Sequence, residues 1–121
     1  MIYKKLITVV IALLFIQFWL GMSLNLFVDI PRGIFLNFFS YSGGIEVLAH
    51  IINGLLILGV SLAILRQKSD RLSFLGTLSV AAAIVAGIVY ILNTYEVPPY
   101  SIAMAMSFIT AYTIFFYELQ G

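Results

Sequence analysis

Four long apolar runs, separated by short polar segments, dominate the hydrophobic pattern of the chain. They cover residues 6–28, 47–65, 72–92 and 100–117. Each run has about the 20 residues that an α-helix needs to cross the hydrocarbon core of a bilayer. Strands of a membrane barrel would be about ten residues long and would alternate apolar with polar positions, which these runs do not. The pattern therefore predicts an all-α integral membrane four-helix bundle, with residues 1–121 forming one four-span domain.

The composition supports an integral membrane protein and excludes several functions. Hydrophobic residues make up 63% of the chain and charged residues only 9%, whereas soluble domains carry about 25% charged residues. The net charge of +1 gives no indication of a nucleic-acid partner. Because the chain has no cysteine, disulfides, thiolate nucleophiles and iron–sulfur clusters are excluded within it.

The basic residues predict the orientation, because Lys and Arg collect in cytoplasmic loops. Five of the six lie before the first run or between the second and third: Lys4, Lys5, Arg66, Lys68 and Arg71. Only Arg32 lies elsewhere. We therefore expect a multi-pass protein of the cell membrane with both termini in the cytoplasm. Lys68, Asp70 and Arg71 are expected to form a solvated turn.

Two further patterns concern the segments outside the membrane. The loop from Gly33 to Ile45 is apolar and aromatic, so it either dips into the outer headgroups or covers an outward-facing site. Residues 24–31 and 92–98 share the order Leu-Asn, aromatic, acid, apolar residue and proline. This match favours two parallel helical hairpins related by duplication, although acid and proline are also ordinary residues at helix exits.

Polar residues inside the runs are the candidate functional positions, because they are costly in hydrocarbon. Two runs carry them at i, i+4, i+8 spacing, namely Gln17, Gly21 and Asn25 on the first and Glu46, His50 and Gly54 on the second, with Asn53 beside them. Asn25, His50 and one of Met104 or Met106 would lie about 6–9 Å below the outer surface. They are therefore expected to meet in one layer, where Glu46 would accept the Nδ1–H of His50.

Several roles remain open for these residues. His50 is expected either to link two helices by hydrogen bonds, to ligate haem or a metal, or to take part in a proton relay or a quinone contact. Glu46 is either solvated or an orienting partner of His50. Gln17 and Asn25 are most simply interhelical hydrogen-bonding residues, and Met104 and Met106 are either packing residues or ligands.

The segment around His50 resembles half of a haem A synthase, a four-helix bundle with paired axial histidines. Glu46, His50 and Gly54 keep the acid and the His-x-x-x-Gly spacing of that family, and Met104-Ala105-Met106 stands where the second histidine lies. The resemblance implies a b-type haem held by His50 opposite Met104 or Met106, or opposite His50 of a second copy. The acid is one residue further from the histidine than in the family, Ile51 replaces its arginine, and its glycine- and cysteine-containing outer loop is missing, so synthase chemistry is not expected.

The remaining features favour a structural role. Small-residue stripes suited to close helix packing follow the third and fourth runs: Gly76, Ser79, Ala83 and Gly87, and Ala103, Ser107 and Ala111. No nucleophile–base pair is evident, and the chain also resembles uncharacterised four-span prokaryotic membrane proteins. We therefore expect a small non-catalytic subunit of a larger membrane complex, with a respiratory or electron-transfer complex suggested by the resemblance. Its expected partners are the lipid bilayer and other membrane subunits or further copies of itself. The alternative is a haem-binding electron-transfer or haem-handling bundle using His50, and a small transporter is the least favoured.

Overall fold

A computed structural model describes residues 2–27, 37–39, 42–92 and 98–121, and throughout this part of the chain the regular elements are helices. The helices are α1 (Ile2–Phe27), α2 (Gly44–Gln67), α3 (Arg71–Leu92) and α4 (Pro98–Gln120). All four contain segments long and apolar enough to cross a membrane. The predicted all-α four-helix bundle is confirmed, and the fold is that of a multi-pass membrane protein.

Each helix extends beyond its apolar run at one end or both, by one to four residues, because polar ends can form helical turns at the membrane surface. Pro98 stands first in α4, where the N–H that proline lacks would have no intrahelical partner. Asp70 caps α3, since its Oδ1 accepts the backbone N–H of Ser73 at 2.8 Å. Gly43, with φ of 84°, supplies the left-handed backbone conformation immediately before α2.

The helices form a ring in which each packs against two neighbours, in the order α1, α2, α3, α4 and back to α1. The α1–α2 and α3–α4 pairs pack most extensively, as two successive hairpins would. The Nζ of Lys68, in the α2–α3 turn, lies 3.6 Å from Glu118 Oε1 and 5.0 Å from the ring centre of Tyr3. Both chain termini and the α2–α3 turn therefore share one end of the bundle, here called the termini end. The opposite end is called the loop end.

The centre of the bundle is apolar and is built from all four helices. Its buried members are Ile7, Val10, Leu14, Ile57, Ile64, Val80, Ala111 and Phe115. Part of each small-residue stripe of α3 and α4 lies within this packing. A Cβ on Gly76 would meet the Phe115 ring, a Cβ on Gly87 would lie 3.3 Å from Met104 Sδ, and Ala111 is fully buried. Gly76, Gly87 and Ala111 thus bring α3 and α4 together within the chain, whereas Ala103 of the α4 stripe is exposed.

Part of the aromatic loop is described, and it touches the start of α2. A Cβ on Gly44 would overlap the carbonyl group of Phe38, so only glycine fits beneath this piece of loop. The Phe39 side chain is exposed. Residues 28–36, 40–41 and 93–97 lie outside the described part of the chain, and with them most of the proposed lid and of the two similar helix exits. The lid and the duplication stay predictions.

Candidate functional site

The first polar site joins α1 to α2 inside the membrane-spanning part of the bundle. Gln17 Nε2 lies 3.1 Å from the carbonyl oxygen of His50 and 3.4 Å from its ring Nε2. Asn53 Nδ2 donates to Gln17 Oε1 at 2.8 Å and to the carbonyl oxygen of Leu13 at 2.9 Å. We call Gln17, His50 and Asn53 the amide–imidazole cluster. The predicted polar faces of the first two helices do face each other.

The backbone carbonyls fix the direction of every hydrogen bond in this cluster. The Leu13 carbonyl can only accept, so it identifies the Asn53 amide nitrogen, which also donates to Gln17 Oε1. The Gln17 amide nitrogen therefore faces His50, donates to its carbonyl oxygen and lies 3.4 Å from its ring Nε2. The other ring nitrogen of His50, Nδ1, is buried and has no hydrogen-bond partner among the described residues.

Two glycines make room for these side chains. A Cβ on Gly21 would lie 3.5 Å from His50 Cε1, and one on Gly54 would lie 3.3 Å from Gln17 Nε2. Each glycine thus lets a polar side chain of the facing helix lie against its backbone, as small residues do in membrane helix pairs. The i+4 spacing of Gln17 to Gly21 and of His50 to Gly54 reflects this reciprocal fit.

The expected hydrogen bond from His50 Nδ1 to Glu46 is not formed. Glu46 is exposed, and its Oε2 instead accepts the hydroxyl of Ser23 at 2.9 Å. Glu46 thus adds a link between α1 and α2 one turn closer to the loop end, rather than orienting the imidazole. The side chain of Asn25 lies outside the described residues, so its expected place beside His50 stays a prediction.

The methionines proposed as second ligands lie elsewhere. Met104 packs with its sulfur against Gly87 of α3, and the Met106 side chain is 63% exposed on α4. Neither ring nitrogen of His50 has a sulfur partner in the described part of the chain, since Nδ1 has none and Nε2 faces Gln17. The haem ligation expected of His50 with Met104 or Met106 stays a prediction.

A second polar site, not anticipated from the sequence, lies at the termini end. Glu118 is only 2% exposed, and its Oε1 accepts the hydroxyl of Ser73 at 2.6 Å. Lys68 Nζ lies 3.6 Å from the same oxygen and 3.4 Å from Asp70 Oδ2. Oε2 of Glu118 is buried without a hydrogen-bond partner among the described residues. We call Glu118, Ser73, Lys68 and Asp70 the Glu118 cluster.

Two further hydroxyls continue this site into the bundle. Thr77 Oγ1 lies 2.8 Å from the carbonyl oxygen of Ser73 and 3.2 Å from that of Ser61. Ser61 Oγ donates to the carbonyl oxygen of Ile57 at 2.7 Å. Ser61, Ser73 and Thr77 are all buried, so a polar column runs inward from Glu118 between α2, α3 and α4.

The charged residues of the α2–α3 turn are accessible to solvent and also interact with one another and with Glu118. Partial burial acts to lower the pKa of Lys68, but the hydrogen bond to Asp70 and the charges of Asp70 and Glu118 outweigh it and raise that pKa. Burial likewise acts to raise the pKa of Asp70, but hydrogen bonds from Ser73 and Lys68 outweigh it and lower that pKa. Lys68 is thereby held as a cation between two carboxylates.

A signal for Glu118 exists in the sequence. Glu118 follows Ala111 and Phe115 at i, i+4, i+7 spacing and so continues the small-residue stripe of α4. The apolar run ends at Tyr117, which placed the acid outside the predicted span, although the helix continues to Gln120.

Among the described residues, no group of three histidine, aspartate or glutamate side chains is arranged to hold a metal ion. Comparison with protein family models, curated proteins and solved structures finds no match. The resemblance to haem A synthase around His50 therefore stays a prediction.

Proposed function

We propose that the protein is a small non-catalytic membrane subunit that packs through α2 against a membrane-spanning helix of a partner. The observation that carries the proposal is Gly59, which lies in the membrane-spanning part of α2 and is exposed. Apart from its own stretch of helix, no described residue would have an atom within 4 Å of a Cβ at this position. Nothing inside the chain therefore requires a glycine here.

The other glycines within the helical spans have a reason inside the bundle. At Gly44, the first residue of α2, the backbone of Phe38 lies where a Cβ would point. At the others a side chain of the facing helix lies there, namely His50 at Gly21, Gln17 at Gly54, Phe115 at Gly76 and Met104 at Gly87. In this chain, glycine within a span thus marks a place where a neighbouring helix comes close. Gly59 also lies within a span, but no helix of the described chain packs against it. We infer that a helix of a partner packs there.

The surroundings of Gly59 form a notch on the outer surface of α2. Leu55, Leu56 and Leu62 lie one turn before or after it and are all exposed, and Ala63 is half-buried. A glycine between larger apolar side chains leaves a hole that a side chain of another helix can fill. Because lipid tails are as apolar as leucine, close packing of this kind is a main source of helix association in membranes.

The proposal is tested by filling the notch with Gly59→Leu. The open space around the position lets the chain keep its own fold, so only an external contact is blocked. Ala82→Leu on α3, where the alanine is also exposed, is the matched control. We expect the assembly seen by native electrophoresis of mildly solubilised membranes to be lost in Gly59→Leu and kept in Ala82→Leu. Equal assembly of the two variants would refute a partner contact at the notch. Co-purification of two differently tagged copies distinguishes self-association from binding to a different subunit.

The positive-inside bias supports both termini and the α2–α3 turn lying in the cytoplasm. Since the chain has no cysteine, single thiols can be introduced without background. Ser42→Cys, at the loop end, should react with a membrane-impermeant maleimide on intact cells, whereas Ser69→Cys, in the α2–α3 turn, should react only after the cells are opened. The reverse result would invert the orientation.

In the haem-binding alternative, His50 holds a haem opposite Met104 or Met106, or opposite His50 of a second copy. An absorption spectrum of protein purified with its native partners, oxidised and then reduced, tests it: a Soret band lost in His50→Ala would support this alternative. Membership of an electron-transfer complex rests on the family resemblance alone.

A further inference from the structure

A groove runs along the outer surface of α1 in the loop-end half of the bundle. It has a volume of about 330 Å³ and is lined by Phe18, Trp19, Met22, Ser23, Leu26 and Phe27. Apart from Ser23, the lining side chains are large, apolar and exposed. Within a membrane, such a surface is covered either by lipid tails or by another apolar helix. We call this surface the α1 groove.

The length of the α1 groove matches one leaflet of a bilayer. Phe18 and Phe27 are nine residues apart, which is about 14 Å along the helix. One leaflet contributes half of the roughly 30 Å hydrocarbon core, which is about 15 Å. Phe27 is the last residue of α1, so the groove extends from the loop end of the helix towards the bilayer centre. An acyl chain of a lipid in the loop-end leaflet follows the same path.

A carboxylate stands at the edge of the α1 groove. Ser23, part of the lining, donates its hydroxyl to Oε2 of Glu46 at 2.9 Å, and this bond holds the Glu46 side chain of α2 beside the groove. Glu46 is exposed and has no ion pair with another described residue. The described lysines and arginines all lie towards the termini end: Lys4, Lys5, Arg66, Lys68 and Arg71. The described part of the chain therefore supplies no cation to this carboxylate.

We propose that the α1 groove binds a lipid of the loop-end leaflet whose headgroup carries a primary ammonium, as in phosphatidylethanolamine. The ammonium donates an N–H to Oε1 of Glu46, because Ser23 already bonds Oε2. One acyl chain lies along the groove from Phe27 to Phe18. The site thus combines an apolar channel for the tail with one fixed negative charge for the headgroup.

The chemistry of Glu46 distinguishes among the common headgroups. A primary ammonium has three N–H donors and forms a charge-assisted hydrogen bond with a carboxylate. The trimethylammonium group of phosphatidylcholine has no N–H, so it attracts the carboxylate by charge alone. An anionic headgroup without an amine is repelled by the like charge of Glu46.

Trp19 lines the groove and is the only tryptophan of the chain, so its fluorescence reports which lipid lies there. The purified full chain is reconstituted in vesicles of equal parts phosphatidylethanolamine and phosphatidylcholine, with brominated tails on one lipid or on the other. Headgroup composition is then the same in both vesicles, and only the lipid that carries the quencher differs. Since an exposed ion pair favours association by up to about fivefold, we expect brominated phosphatidylethanolamine to quench Trp19 about two- to fivefold more strongly.

Glu46→Gln removes the charge and should make quenching by the two lipids equal. Asp70→Asn, the corresponding change at the termini end, is the matched control and should keep the wild-type ratio. Circular dichroism verifies that each variant is folded.

Equal quenching by the two lipids in wild type, or stronger quenching by brominated phosphatidylcholine, would overturn the proposal. An unchanged ratio in Glu46→Gln would do so as well, and quenching by neither lipid would show that protein fills the groove instead. Gly59→Leu should keep the wild-type ratio, so this proposal and the partner contact at the Gly59 notch are tested separately.

Discussion

Gly76→Ala provides a direct test of the packing of α3 against α4. The added Cβ would lie 2.7 Å from Cζ of Phe115 and 3.0–3.1 Å from two further atoms of its ring. Phe115 is fully buried in the central cluster, so its ring cannot swing into open space. Relief of the clash must therefore come from a shift of one helix against the other.

The expected cost follows from overpacking. Extra atoms in a packed core cost about 1–3 kcal/mol, and the better helix propensity of alanine returns about 0.5–1 kcal/mol. Gly59→Ala is the matched control, because no described residue outside its own stretch of helix has an atom within 4 Å of the new Cβ, so only the propensity gain applies. The two variants should differ by about 2 kcal/mol in the free energy of unfolding, which is about a thirtyfold difference in the unfolding equilibrium constant.

The assay is unfolding of the purified chain in mixed micelles with increasing denaturing detergent, monitored by circular dichroism at low protein concentration. Low concentration keeps any association through Gly59 out of the comparison. The reasoning predicts that Gly76→Ala unfolds at lower denaturant and Gly59→Ala at the wild-type value or above. Indistinguishable unfolding of the two variants would refute the α3–α4 packing described here.

Three further predictions concern other parts of the fold. Asn53→Ala removes the amide group that links α2 to Gln17 and should lower the free energy of unfolding by about 1–2 kcal/mol in the same assay, whereas an unchanged value would contradict the cluster. Because the pKa of Asp70 is lowered, the stability it contributes is present above the ordinary aspartate range and is lost as pH falls through the folded-state pKa. Comparing wild type with Asp70→Asn below about pH 4 should show this loss in wild type only, at under about 1 kcal/mol because the side chain is partly exposed; the same acid response in both would argue against the Ser73 cap and the Lys68 pair. Trp19 is 62% exposed on α1, so brominated lipid tails should quench its fluorescence. A lack of quenching in the reconstituted monomer would show that protein covers Trp19 and would contradict its exposure to lipid.

The sequence allowed the fold to be predicted, and also the polar faces of α1 and α2, but not the group of side chains that meets there. The expected layer was Asn25, His50 and a methionine, whereas the structure brings Gln17, His50 and Asn53 together. Four apolar runs are enough to place four helices, because hydrocarbon leaves a spanning segment few alternatives to a helix. The i, i+4, i+8 spacing of Gln17 and His50 with their glycines correctly predicted which faces of α1 and α2 meet. Their partners could not be assigned, since a polar face is compatible with several rotational and vertical positions of one helix against the other. His50 consequently pairs with Gln17, while Glu46 pairs with Ser23.

Neither the Glu118 cluster nor the Gly59 notch could be predicted from the sequence, and the reasons differ. Glu118 lies within three residues of the end of α4, where a carboxylate is usually solvated, and only the positions of Ser73 and Lys68 show that it is buried. Gly59 is one glycine among several on apolar helices. Its open surroundings become evident only when the contacts of every other membrane glycine are known.

A cross-linking experiment in native membranes tests the proposed partner contact most directly. Leu56→Cys places a thiol one turn from Gly59, and Ile109→Cys places one on α4 at a matching eleven residues from the termini end of its helix. Both side chains are exposed, by 53% and 60%. A short cross-linker that joins thiols to amines, or two thiols to each other, should yield one defined adduct with Leu56→Cys and none with Ile109→Cys. Adduct from both variants alike, or from neither, would contradict a partner helix at the Gly59 notch.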